Sequence, residues 1–191
     1  GITVSIDLNF REKLWKYGKR PNEILPELLD YCDIIFGGID APEKIFGIVP
    51  EGKQSTKGKL TTEDIHSISG QLFSLFPKAA LFSTTLRYIQ HSDHHKLQGV
   101  IITPQQGSSN SNVYYAHEYD MPNMVDRVGG GDAFMAGLIH GIIHFKDDYH
   151  KIVNFATAAS VLKHYIHGDA NLSTLEEIEN MMKGHGQAIS R

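Results

Sequence analysis

The 191-residue chain has a single cysteine, Cys32, and a single tryptophan. One thiol closes no intrachain disulfide and builds no thiolate metal cluster, so a buried apolar role for Cys32 and a reducing, cytoplasmic setting are expected. Long apolar runs are missing as well. No stretch approaches the ~20 residues that a bilayer requires, and the start lacks the basic and then apolar segments of a signal peptide, so no membrane partner is expected. Basic residues are in the minority, 18 against 22 acidic, for a formal charge of −4. That balance argues against nucleic acid as a partner. There is no initiator Met before the first strand-like residues, and the expectation is a piece of a longer chain. What is present is ordinary: 41% hydrophobic and 21% charged residues, at a length that suits one globular unit.

Residues 2–6 alternate apolar with small polar side chains and read as a strand. Residues 33–37, 79–83 and 99–103 are short continuous apolar runs, as strands covered on both faces are. Helical spacing appears between the first three, over 21–31 with Ile24, Leu25, Leu28 and Leu29, and over 61–76 with Ile65, Ile68, Leu72, Phe73 and Phe76. Alternating strands and helices predict an α/β fold, a mostly parallel sheet with helices on both faces. Residues 113–119 read as one further strand, antiparallel to its neighbour across a polar turn at 104–112. After it the strands are expected to stop, and helices to follow over 132–145, 150–166 and 174–182, the last capped by Ser173 with Glu176 three residues on.

In open parallel sheets ligands bind beyond the carboxyl ends of the strands. The first three strands run into Asp7-Leu8-Asn9-Phe10-Arg11, Gly37-Gly38-Ile39-Asp40 and Ser83-Thr84-Thr85-Leu86-Arg87. These acids, amides, hydroxyls and two arginines suit the floor of an anionic-ligand site; each taken singly also fits an ordinary loop. The sharpest feature is Asp126-Arg127-Val128-Gly129-Gly130-Gly131-Asp132-Ala133-Phe134, a glycine run feeding into a helix. Glycines let the backbone approach a ligand closely, and the unpaired N–H groups of a helix's first turn attract anions. A carboxylate beside those donors is awkward for simple phosphate binding. It fits a base that takes a proton from an attacking hydroxyl while the N–H groups stabilise charge on a transferring phosphoryl group. The plainer alternative is that Asp132 caps the helix and the glycines turn the chain. Neither a P-loop nor a complete G-x-G-x-x-G is present.

Eleven histidines raise the question of metal. His91, His94 and His95 are expected in a solvated polar loop with Asp93. His140 and His144 share a helix face, but the residues between them lack the glutamate of a zinc protease motif, and zinc is not expected.

Residues 126–137 resemble the C-terminal signature of the PfkB, or ribokinase-like, carbohydrate kinases, whose pattern is an aspartate, two variable residues, Gly-Ala-Gly-Asp, an aromatic and a later glycine. Gly130 stands at the alanine position. Asn154-Phe155-Ala156-Thr157-Ala158-Ala159-Ser160 is similar to the family's Ala-rich helix beside the adenine. Asp7-Leu8-Asn9-Phe10-Arg11, Glu43-Lys44-Ile45-Phe46-Gly47-Ile48, and Lys163-His164 through Gly168-Asp169 resemble segments of the 2-keto-3-deoxygluconate kinases within that family.

The resemblance implies a ribokinase-like fold over residues 1–191 as the C-terminal, nucleotide-binding portion of a single domain, with the N-terminal part and the lid outside the chain. It implies an ATP-dependent transfer to the terminal hydroxyl of 2-keto-3-deoxygluconate; the alternatives are another sugar, such as fructose or ribose, or a catalytically silent nucleotide-binding fragment. In this reading Asp132 is the base toward the sugar, and Gly129, Gly130 and Gly131 form the anion hole. Asn9 and Arg11 face the substrate, Arg11 being suited to a keto-acid carboxylate. Thr84, Thr85 and Arg87 lie along the ATP phosphates, Asn154, Ala158 and Ala159 adjoin the adenine, and Asp126 helps hold a monovalent cation such as K+. Mg2+ is implied too, but the family's Asn-x-x-Glu motif falls at Gly38 and Ala41, leaving Asp40 and Glu43 as the nearby carboxylates. Implied partners are the sugar acid, ATP and either the N-terminal portion or a second copy of the chain.

Overall fold

The computed structural model describes residues 1–105 and 110–184. Residues 106–109 of the polar turn expected at 104–112 therefore lie outside the described residues. The chain folds as two compact units, one of Gly1–Thr85 with Ile101–Val113 and the other of Leu86–Val100 with the chain from Tyr114 onward.

In the first unit β1 (Ser5–Asp7) pairs in parallel with β2 (Ile34–Phe36), and β2 in parallel with the start of β3 (Leu81–His91). The helices α1 (Pro21–Leu29), α2 (Ala41–Phe46) and α3 (Thr62–Leu75) fill the connections. Leu29, Ile35, Ile65, Ile68, Leu72, Phe76 and Phe82 are fully buried here, so the apolar face expected of the 61–76 helix is indeed its core face. Thr61 caps α3: its hydroxyl accepts from the Asp64 N–H, and the Asp64 carboxylate accepts from the Thr61 N–H and from Lys53 Nζ at 2.6 Å.

The two short strands expected at 79–83 and 99–103 are the ends of one long hairpin. β3 continues to His91, turns over Ser92 and Asp93, and returns as β4 (His94–Pro104), a two-residue connection that makes the pair antiparallel. His91, His94 and His95 are thus strand residues rather than a loop: His94 Nε2 lies 2.7 Å from Asp120, and His95 is fully buried. The strand expected at 113–119 is β5 (Ser111–Tyr115), and a further strand, β6 (Tyr119–Met121), pairs antiparallel with β4. Strand order is β1-β2-β3-β4-β5, with β6 on β4.

The second unit closes with α4 (Gly130–Phe145), α5 (Tyr149–Lys163) and α6 (Leu175–Met182). Glycines at 137 and 141 let α4 approach α5 closely, since a β-carbon at Gly137 would meet the Ala156 backbone at 2.8 Å and one at Gly141 would meet Ile152 at 2.9 Å. α6 is capped by Thr174 with Glu177 rather than by Ser173 with Glu176. Among the described residues no helix is long and apolar enough to cross a membrane.

Candidate active site

The glycine run sits at the head of α4. Gly129 is its N-cap in the left-handed region at φ 77°, a conformation that favours glycine, and the Ala133 N–H is bonded to the Gly129 carbonyl at 2.8 Å. The N–H groups ahead of Ala133 form the turn that a helix leaves without internal acceptors. Asp132 lies in this first turn, exposed to solvent, while Gly129 and Gly130 are buried.

Hydrogen bonds from neighbouring segments hold this turn. Asp126 accepts the N–H of Val128 and that of Gly168, each at 3.0 Å, and these two bonds hold its carboxyl below the usual carboxylate range. Ser160 on α5 donates its hydroxyl to the Gly130 carbonyl at 2.8 Å, and the His164 carbonyl accepts from Val125 and Asp126. The His164 ring lies against Gly130, where a β-carbon would stand 2.5 Å from Cε1.

Arg87 completes this group from β3. Its Nη2 is 3.0 Å from His164 Nε2, and His164 Nδ1 is 2.6 Å from the Ser160 carbonyl. Burial, chiefly, pushes the His164 pKa down to about 4, with Arg87 and Lys163 adding to it and the Ser160 carbonyl opposing it. Burial also lowers the Arg87 pKa, and the charge of Arg127 acts in the same direction. No carboxylate lies within ion-pair distance of Arg87 among the described residues. His95, fully buried, has no hydrogen bond of normal geometry at either ring nitrogen; burial and then Arg127 and Arg87 lower its pKa, and the His91 backbone offsets only part of this.

Other expected site residues fall differently. Thr84, Thr85 and Arg87 lie within β3 rather than beyond its end, and a strand alternates faces. Thr85 and Arg87 therefore share one face, while Thr84 is fully buried on the other with its hydroxyl unpartnered. Asn154 spends its amide on structure, accepting the His117 N–H at 2.9 Å and donating to the His150 carbonyl at 2.8 Å. Ala158 and Ala159 are packed with Phe155, Leu162 and Ile178 in the core formed with α6. Small side chains at 158 and 159 are accounted for by that packing.

In the first unit, Asp7 accepts the Asn9 N–H at 3.0 Å in a turn that holds Asn9 at φ 34°. Arg11 follows in extended backbone before the single 3-10 turn Glu12–Leu14, exposed and without an ion-pair partner among the described residues. Asp40 is paired with Lys44 at 2.5 Å, and Glu43 accepts the Thr56 N–H at 2.7 Å and hydroxyl at 2.5 Å. Both carboxylates are committed locally, and among the described residues no three His, Cys, Asp or Glu side chains converge on a metal position. These side chains do not fit a protein-held Mg2+. A wide cavity of about 1320 Å³ in this unit, lined by Val49, Lys53, His66 and Gln71 among others, contains none of the expected site residues.

No protein-family profile matches the chain. It is similar to 2-dehydro-3-deoxygluconokinase from Thermotoga maritima, with 30% identity, a TM-score of 0.81, and 96% of this chain aligned to 50% of that one. A PfkB family carbohydrate kinase from Listeria grayi aligns at 33% identity and a TM-score of 0.74, over 96% of this chain and 51% of that one. In sequence, the 2-dehydro-3-deoxygalactonokinase of Haloferax volcanii is 22% identical over 195 residues, 100% of this chain and 50% of that protein. A fructokinase with bound ATP from Xylella fastidiosa, 16% identical with a TM-score of 0.64 over 97% of this chain and 53% of that one, shares the fold alone. The fold is ribokinase-like, and the chain spans about half the length of the PfkB-type sugar kinases it resembles.

Proposed function

We propose that this chain is the nucleotide-binding portion of an ATP-dependent carbohydrate kinase, and that the complete protein phosphorylates the terminal hydroxyl of 2-keto-3-deoxygluconate in the cytoplasm. The observation that carries the reading is the head of α4, where an exposed carboxylate stands in the first turn of a helix whose entry is fixed by Asp126, Ser160 and His164. Asp132 takes the proton of the attacking hydroxyl as its oxygen forms the bond to the γ-phosphorus. The bond from that phosphorus to the bridging oxygen breaks, and its electron pair leaves with ADP. The N–H groups around Gly129, Gly130 and Gly131 stabilise the charge that builds on the phosphoryl oxygens. Thr85 and Arg87 lie along the nucleotide phosphates. A monovalent cation at Asp126 would share a carboxylate already accepting two N–H groups.

The substrate assignment rests on Arg11, whose exposed guanidinium makes one long contact, Nη1 to the Phe10 carbonyl at 3.5 Å, and keeps further donors for a sugar-acid carboxylate. A second reading, a catalytically silent nucleotide-binding module, is favoured by one observation: Asp40 and Glu43, the carboxylates near the altered metal motif, are bonded to Lys44 and Thr56. Assay of ADP release by the complete protein with 2-keto-3-deoxygluconate, 2-keto-3-deoxygalactonate, fructose and ribose separates these. Turnover of the sugar acids above the neutral sugars supports the proposal, preference for fructose or ribose moves it to another sugar, and ATP binding without turnover of any sugar supports the silent module.

A further inference from the structure

The His164 side chain touches both Arg87 and Gly130, the first residue of α4. Its two hydrogen bonds fix its chemical form. Nδ1 faces a backbone carbonyl, which only accepts, so Nδ1 carries the proton. Nε2 faces a guanidinium, which only donates, so Nε2 presents its lone pair. The ring is therefore the neutral Nδ1–H tautomer, and its complete burial agrees with a neutral form.

The other end of this contact is a cation without a counter-charge. Arg87 is partly buried, Arg127 acts on it as a second positive charge, and among the described residues no carboxylate reaches it. A long flexible side chain in that position, left unpaired, would swing toward water. The Nε2 lone pair holds one guanidinium nitrogen without neutralising its charge, so the remaining donors stay available to an anion.

We propose that His164 is a positioning residue: as the neutral Nδ1–H tautomer it fixes the guanidinium of Arg87 beside the head of α4, making Arg87 a preset ligand for the phosphates of ATP. The inference rests on the reading of Arg87 as a phosphate ligand. It makes two hydrogen-bonding roles of one ring separable. His164→Asn keeps an amide N–H where Nδ1 donates to Ser160 and removes the acceptor for Arg87. His164→Gln places an amide oxygen where Nε2 accepts from Arg87.

The test uses the complete kinase, with ATP as the varied ligand. In the wild-type protein, 15N spectra of the imidazoles at pH 7 should show His164 protonated at Nδ1 and unprotonated at Nε2; an Nε2–H tautomer overturns the proposal whether or not any variant folds. His164→Asn should raise the KM for ATP about tenfold, the scale of one charge-assisted hydrogen bond, with the KM for sugar unchanged. His164→Gln should restore it to within about threefold of wild type. The double variant Arg87→Ala/His164→Asn should be no worse than Arg87→Ala alone. A wild-type KM for ATP in His164→Asn, or no rescue by His164→Gln, overturns the positioning role. If Arg87→Ala leaves ATP binding unchanged, it is the phosphate reading of Arg87 that fails, while the spectrum still decides the tautomer and its bond.

Discussion

Gly129 and Asp169 meet backbone to backbone: a β-carbon built on Gly129 would run into the carbonyl oxygen of Asp169. The neighbouring Gly168 N–H is bonded to Asp126, so the loop after α5 and the entry to α4 are joined by close approach as well as by hydrogen bonding. Gly129 is also held at φ 77°, where a β-carbon is strained even in open space.

Gly129→Ala should therefore destabilise the protein by ~2 kcal/mol or more, from overpacking against backbone together with strain in the left-handed region. Urea unfolding measures this. An unchanged midpoint would show that the loop at Asp169 can move away, and that the head of α4 is less fixed than its geometry indicates.

Asp132→Asn in the complete kinase should lower kcat by ~10²-fold or more while ATP binding persists, because the amide keeps the shape of the side chain but cannot take the hydroxyl proton. Steady-state kinetics beside ATP titration checks this. Near-normal turnover would remove Asp132 from the role of base.

How far this site could be read from sequence depends on what each residue touches. Glycines before an amphipathic run mark a helix head locally, so Gly129 to Asp132 were legible from spacing alone. Alanines at 158 and 159 fit both an adenine wall and a helix core, and the core they share with Ile178 of α6 depends on a residue that no local pattern joins to them. Asn154 is similar, its amide being consumed by His117 and His150. His164 takes its form from Arg87, 77 positions away, which no local pattern shows. In the fold, both Ser173 with Glu176 and Thr174 with Glu177 match the capping pattern; backbone geometry chose the second. The hairpin arms of β3 and β4 were hidden because their outer halves carry polar and aromatic residues rather than an apolar run.

Arg11→Ala should weaken binding of the sugar acid by ~1.5 to 3 kcal/mol, the range for a hydrogen bond to a charged group, and leave ATP affinity nearly unchanged. The exposed Arg11 has no ion pair among the described residues to lose, so its removal should cost little stability. Isothermal titration with sugar acid and with ATP distinguishes the two effects. Equal losses for both ligands would indicate a general disturbance of β1 and the turn after it.

Acidification should destabilise this protein in two separable windows. His164 has its folded pKa lowered from about 6.5 to about 4 by burial. Between those values the unfolded chain binds the proton and the folded one does not, so stability is complete above about pH 6.5 and falls toward pH 4, by roughly 3 kcal/mol if this group acted alone. The carboxylates of Glu43, held down by the Thr56 hydroxyl and N–H, and of Asp126, held down by the Val128 and Gly168 N–H groups, are also lowered. Their stabilisation is present above the ordinary carboxylate value and is lost only as pH falls below it, through their folded values. Urea unfolding from pH 7 to pH 3 should therefore show a first decline that is shallower in His164→Asn, the remainder coming from His95 and His140, which burial also lowers, and a second, more acidic one that is shallower in Glu43→Gln, the remainder coming from Asp126. A stability curve in His164→Asn that still falls with the wild-type slope between pH 6.5 and 4 would show that His164 is not the group taking up the proton there.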